Sequence, residues 1–304
     1  WGGLLKDWEK ENDCKVKLPV IPWESYEETY TTAMNSGEGP DVGYMYNEMF
    51  PTYIDAGAVT DMSDYVTKDD KKEYKYLSNG YMMDGQYGWP LVTGVPFVLY
   101  YNEDILNELG EKAPETWDDF ARICKEATKD TDGDGKVDQY GFACGLNTSD
   151  IGATQILNAY YYGALWQNGG QIYDDDLKSV TFANEEGKEA MTWLKDLTQY
   201  MNTDYMSQSW SDAFANVFGA GKAAFGITRS SQTDETSFKK TYPDLNWDFV
   251  TSLQQKEYGT FGATDCLTLM SATEDKDLAM NFIKYVTGSE FMTKYHKECP
   301  GAAL

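Results

Sequence analysis

The sequence predicts an α/β protein of two domains. Three features carry that reading. Its 304 residues suffice for two domains of ordinary size. Strand-like and helix-like patterns alternate along the chain. The stretch Gly88–Asp104, GWPLVTGVPFVLYYNED, separates one α/β unit from the next. Its apolar run, Val95–Tyr100, is β-branched and aromatic, so it reads as a buried strand. Pro90 and Pro96 cannot donate to a ladder, which places the front half at an edge or outside regular pairing. Asp104 is a helix cap for ILNELG, which Gly110 closes. The stretch is therefore a crossing between two lobes, with its front half at a cleft.

In chain order, Leu4, Leu5 and Trp8 share a helical face, and CKVKLPVI alternates like a strand. Ser25 and Glu28 form a capping-box pair for the next helix. A short strand is expected at Asp41–Met45, with Tyr46, Asn47 and Glu48 at its C-terminal end, where ligands bind in open α/β sheets. FPTYIDAGAVTDMSDYV reads as a short helix and a loop. Beyond the crossing, Thr116 and Asp119 cap WDDFARICKEAT, and a Tyr-rich helix spans roughly Thr154–Trp166. QIYDDDLKSVTF reads as a polar hairpin. Asn184 caps a helix with Ala190, Trp193, Leu194 and Leu197 on one face. SWSDAFANVFGAGKAAFGI gives a helix, a glycine turn and a buried strand. NWDFVTSL and FGATDCLTLM are strands that return the chain to the first unit, and DKDLAMNFIKYVTG and SEFMTKYHKE are the last helices.

The net charge of −25 repels nucleic acid and anionic membrane surface, so no nucleic-acid partner is expected. The five cysteines, an odd and widely spaced set with no CxxC pair, read as inert thiols. No signal peptide or membrane-length apolar run is present. The opening WGGLLKDWEKEN and the ending PGAAL read as the bounds of an excerpt from a longer precursor.

One motif points to a metal. Asp130, Asp132, Asp134, Lys136 (through its carbonyl) and Asp138 stand at positions one, three, five, seven and nine of an EF-hand-like Ca²⁺ loop, with Gly135 at six. Position twelve is Gly141 instead of a bidentate Glu, so Gln139 is the candidate for closing the ligand set. The competing reading is a hydrated Asp/Gly turn. The aromatics form a second pattern: Trp23, Tyr44, Tyr46, Trp89, Trp166 and Trp210 fall at element ends or beside turn residues. Flat rings there suit the CH faces of sugars, although each ring taken singly fits a core equally well. With His296 the only histidine, a His-based triad or zinc site is not expected. Arg229 follows a buried strand and either reaches a cleft or pairs with a surface acid.

The segments GPDVGYMYNEMFPTYIDAGAVTDMSDYV, YGWPLVTGVPFVLYYNEDIL, APETWDDF, DTDGDGKVDQYGF, ALWQNGG, FGAGKAAFGI and CPGAAL, in this order, resemble the extracellular solute-binding proteins of family 1. These are the maltose-binding-protein-like components of ABC sugar importers. The resemblance covers essentially the whole chain. The family's N-terminal strand and C-terminal helices are missing from it. The resemblance implies a two-lobed, type II periplasmic-binding-protein-like fold whose lobes are joined by a strand hinge near Val98–Glu103 and Phe249–Phe261 and close on ligand. Lobe one would be residues 1–100 plus 258–298, and lobe two residues 101–257 plus 299–304. By position in the family pattern, Trp23, Met45, Tyr46, Asn47 and Glu48 would line the first lobe's rim, with Thr93 and Gly94 near the hinge. Asp150, Trp166, Arg229, Ser230 and Ser231 would face them, and Asp265 would join from the returning strand. No catalytic residues are implied.

The function expected is therefore capture of an oligosaccharide in an interlobe cleft and delivery to the membrane permease of an ABC importer. The chain would be a monomer at the cell surface, lipid-anchored in its precursor, with a structural Ca²⁺. A carbohydrate-active hydrolase with an aromatic cleft is the rival reading, and a Ca²⁺-dependent adhesion module is a third.

Overall fold

The computed structural model describes residues 1–22, 25–37, 39–94, 96–147, 155–174, 178–230, 238 and 240–299. The strands among them are β1 (Val42–Tyr46), β2 (Tyr81–Met82), β3 (Gly85–Gln86), β4 (Trp89–Gly94), β5 (Phe97–Asn102), β6 (Tyr140–Ala143), β7 (Ala223–Arg229), β8 (Trp247–Val250) and β9 (Ala263–Leu269). The chain forms two compact units. Unit 1 takes residues up to Gly94 and those from Ala263 onward; unit 2 is Val95–Gly262.

In unit 1, β9 lies between β1 and β4 and is antiparallel to both. Both faces of this small sheet are covered, as the alternation of side chains requires. Met45 and Cys266 pack with Tyr26, Tyr30, Phe50 and Tyr53 on one face. Leu267 and Leu269 pack with Leu5, Trp8, Trp89, Ile283 and Val286 on the other. β4 is an edge strand with a register shift between Pro90 and Val92, which accommodates the proline that cannot donate. Lys284 ties helix Lys276–Thr287 to the chain around Asp70: its Nζ lies 2.6 Å from Asp70 Oδ2 and 5.1 Å from the Trp89 ring centroid. Burial pushes the Asp70 carboxyl up, but hydrogen bonds from Lys284 and Thr67 outweigh it and hold the group below its ordinary value.

Unit 2 holds the sheet β6-β7-β5-β8, in which only the β6/β7 pair is parallel. Phe97 and Leu99 of β5 enter a core with Phe120, Ile123, Phe142 and Phe225. Val98 and Tyr100 enter a second, with Phe214, Phe218 and Phe238. A strand buried on both faces needs apolar residues at every position, which explains the unbroken run in the sequence. Helix Trp117–Ala127 begins with the expected capping box of Thr116 and Asp119. Asn184 caps helix Glu185–Leu197 by accepting from Gly187 N.

Several sequence expectations are corrected. Residues 14–21 form no strand; Val20 is almost fully exposed, and no partner strand offers it a ladder. Ser25 precedes helix Tyr26–Ser36 without a side-chain cap, its hydroxyl donating instead to Pro22 O. Helix Glu103–Leu109 is capped by Asn102, which accepts from Asp104 N and Ile105 N, so the cap falls two residues before Asp104. The units divide at Gly94/Val95 and Gly262/Ala263, where 100/101 and 257/258 were expected. The reason is the ladder: all of β5 pairs with β7 and β8 inside unit 2, so the crossing is the short link after β4 and not the strand itself. Cys299, expected in lobe two, follows helix Ser289–Glu298 within unit 1.

Candidate functional site

In unit 1 the candidate residues gather where β1 and β4 end and β9 begins. Tyr46 stands opposite Asp265, and Asp265 opposite Val92; Thr93 pairs with Thr264 and Gly94 with Ala263. Gly94 has φ of 111°, a backbone state that excludes ordinary side chains as the chain leaves the sheet. Two carboxylates here are held by tyrosines: Tyr44 donates to Asp265 Oδ2, and Tyr46 donates to Glu27 Oε1. Burial, with Glu27 beside it, raises the Tyr46 phenol above its ordinary value, so it stays a donor. Asn47 Nδ2 donates to Asn79 O, and Asn79 Nδ2 donates to Thr264 Oγ1 at 2.9 Å. Glu48 is exposed. Carboxylates fixed in this way accept well from hydroxyl groups.

In unit 2 the candidates lie where β7 ends and β5 begins. Trp166, half-buried near the end of helix Tyr162–Gln167, stacks with Phe261 at 6.3 Å and 8°. Tyr162 completes the platform, 5.7 Å from Trp166 and 5.9 Å from Phe261. A buried amide sets its position: Gln167 accepts from Trp117 Nε1 at 2.7 Å and donates to Gly259 O at 2.7 Å. That bolts the returning loop, and Phe261 with it, to the helix that carries Trp166. Arg229 closes β7 opposite Phe97; its guanidinium lies 5.8 Å from the Phe97 centroid and donates to Gln155 Oε1. Phe97 meets Trp210 edge-on at 5.6 Å. A cavity of about 60 Å³ among Leu99, Tyr160, Trp193 and Leu253 belongs to the core. It is far below the ~300–1,000 Å³ of ligand pockets.

The acidic loop joins helix Trp117–Ala127 to β6, its mouth closed by the bridge between Lys129 and Gln139. Carboxylate oxygens of Asp130, Asp132 and Asp134 lie within 4.8 Å of one another, all exposed. Amides of Gly135 and Gly133 donate to Asp130 and hold its carboxyl below the usual range. Three carboxylates thus fit a hard cation. Two of the later positions make other bonds. Asp138 accepts from Thr131 N and Oγ1, one bond on each oxygen, and the Gln139 amide nitrogen donates to Ala127 O. Gly141 explains the missing Glu: a Cβ there would lie 2.3 Å from the Cys124 carbonyl, so β6 packs on the helix only if this residue is glycine.

Placement of the expected site residues is mixed. Trp23, Asp150 and Ser231 lie outside the described residues. Met45 is wholly buried in the unit 1 core, because β1 alternation turns it away from the face of Tyr44 and Tyr46. Gln167, expected beside Trp166 as an amide for sugar hydroxyls, spends its amide inside the protein. Ser230 follows Arg229 and is pinned by its N–H to Pro96 O. The sequence reading did not assign Glu27, Asn79, Gln155, Tyr162 or Phe261 to a site, and it offered Tyr44 and Trp210 only within the set of aromatics at element ends. The spacing of Tyr162 and Trp166, four residues along one helical face, was a usable signal; the approach of Phe261 is tertiary and leaves none.

Two α/β units, each ending its sheet in aromatic and polar side chains, define a receptor of the type II periplasmic-binding class. The chain belongs to the bacterial extracellular solute-binding proteins, whose family model matches residues 3–301. It is 25% identical over 323 aligned residues to the multiple sugar-binding protein of Streptococcus mutans, covering 96% of this chain and 69% of that protein. Many solved structures share the fold; two illustrate it. One is an ABC transporter solute-binding protein of Thermotoga lettingae bound to α-D-tagatose, with TM-score 0.75, 19% identity, and 100% of this chain and 76% of that one covered. The other is an ABC substrate-binding protein of Listeria monocytogenes in complex with cycloalternan, with TM-score 0.74, 21% identity, and 99% and 75% covered.

Proposed function

We propose that this chain is the receptor of an ABC importer, capturing an oligosaccharide outside the cell and delivering it to a membrane permease. The observation that carries the reading is the half-exposed Trp166 platform at the end of the unit 2 sheet. Stacked rings of this kind meet the CH faces of sugars, and the tethered carboxylates of unit 1 offer acceptors for hydroxyls. The sugar ligands of the Streptococcus, Thermotoga and Listeria proteins support the same chemistry. The receptor reading includes binding without turnover, a monomeric state and lipid anchoring of the full precursor. Titration calorimetry over a panel of neutral and charged oligosaccharides, with product analysis, tests it. Stoichiometric binding with the sugar recovered intact supports a receptor; multiple turnover makes the chain a hydrolase.

Ca²⁺ at Asp130, Asp132 and Asp134 belongs to this reading as a structural ion of unit 2. An ion that binds the native loop and not the unfolded chain raises stability. Chelator is expected to lower the melting temperature of the wild type and leave Asp132→Ala unmoved; identical melts of the wild type with and without chelator remove the ion.

A further inference from the structure

We propose that the ligand is an acidic oligosaccharide, one whose uronic acid carboxylate pairs with Arg229. The inference rests on the oligosaccharide reading and names the chemical class within it. The sequence holds two arginines, and they are used in opposite ways. Arg122 is saturated with acids: it pairs with Glu111, and lies 3.6 Å from Asp119 and 3.8 Å from Glu126. Arg229 stands in the same strongly acidic chain, yet among the described residues no carboxylate forms an ion pair with it; its side-chain hydrogen bond goes to the neutral Gln155.

The backbone that carries this exposed side chain is held. Tyr100 OH donates to Arg229 O at 3.2 Å, Ser230 N donates to Pro96 O at 2.7 Å, and the guanidinium lies over Phe97. Phe97 is itself packed between Trp210 and Phe261, the latter a member of the Trp166 platform. A planar fork with one nitrogen committed to an amide keeps further N–H groups for a planar anion. A carboxylate takes such groups in parallel, and charge-assisted pairs are about twice as strong as neutral hydrogen bonds. A sugar lying on the rings with its C6 carboxylate on the guanidinium uses both features of this end of unit 2.

The test is titration calorimetry of wild type, Arg229→Gln and Arg229→Lys, each checked for an unchanged melt. The probes are uronic acid trisaccharides of α-1,4 and β-1,4 linkage, their methyl esters and the corresponding neutral trisaccharides. The methyl ester keeps the ring and removes the charge. Wild type is expected to bind one acidic trisaccharide at least tenfold tighter than its ester. Arg229→Gln should abolish that gap, losing at least tenfold more affinity for the acid than for the ester. Arg229→Lys should keep only part of it, since an ammonium lacks the planar fork. Equal affinity of wild type for acid and ester, an equal loss for both in Arg229→Gln, or binding of neutral sugars alone overturns this inference and leaves the receptor reading standing. Binding of none of the sugars by folded wild type overturns both.

Discussion

The two sheet ends of this protein solve different problems. That of unit 1 is polar and internally bonded: Tyr44 grips Asp265, Tyr46 grips Glu27, and Asn79 links Asn47 to Thr264. That of unit 2 is flat and apolar, three rings with one arginine beside them. Orientation is bought differently in the two. In unit 1 each functional oxygen has its own tether, so loss of a tether loosens one group. In unit 2 the Gln167 amide joins the helix to the loop, and Phe261 is held in addition by its carbonyl, which accepts from Phe97 N.

The largest effect should come from breaking that amide. Gln167→Ala leaves the buried Trp117 Nε1 without its partner, at ~1–3 kcal/mol, and leaves the Gly259 carbonyl with Ser252 Oγ alone. A stability loss of about 2–3 kcal/mol is expected in denaturant melts. A loss under ~1 kcal/mol would mean that the loop is held by other contacts. Trp166→Ala sharpens the contrast from the ligand side. The indole is half-exposed, so affinity should fall by about 1–3 kcal/mol with a smaller change in stability. Full affinity with a stability loss of ~3–5 kcal/mol would make Trp166 a core residue. The smallest effect belongs to unit 1: Tyr44→Phe removes one tether and should weaken ligand by about 0.5–1.5 kcal/mol. Asp265→Ala made in the same background should then cost less than it does alone, because one contact has already been lost. Strict additivity in that double-mutant cycle would separate Tyr44 from the ligand.

Much of this fold was legible because local and tertiary signals agreed. The β5 run is apolar at every position since both of its faces are buried, and Thr116 with Asp119 is a capping box that needs no tertiary help. The failures occur where a pattern depends on a distant partner. Residues 14–21 alternate like a strand but find no neighbour to pair with. Met45 sits one residue from two site tyrosines, and the parity of the strand sends it to the opposite face. The unit 2 platform was half legible: Trp166 and Tyr162 share a helical face, whereas Phe261 arrives from about a hundred residues away on a loop that Gly259 bonds to Gln167 and Phe261 bonds to Phe97, contacts that no spacing rule encodes.

The closed mouth of the acidic loop has a practical consequence. The bridge between Lys129 and Gln139 brings the loop's two ends together, and the carboxylates of Asp130, Asp132 and Asp134 bond only within the loop. A segment whose ends are already joined can be exchanged or lengthened at small entropic cost. The loop is therefore a graft port. A lanthanide-binding sequence spliced between Lys129 and Gln139 would carry a luminescent reporter on unit 2, with the sheet end that holds Trp166 and Arg229 left untouched.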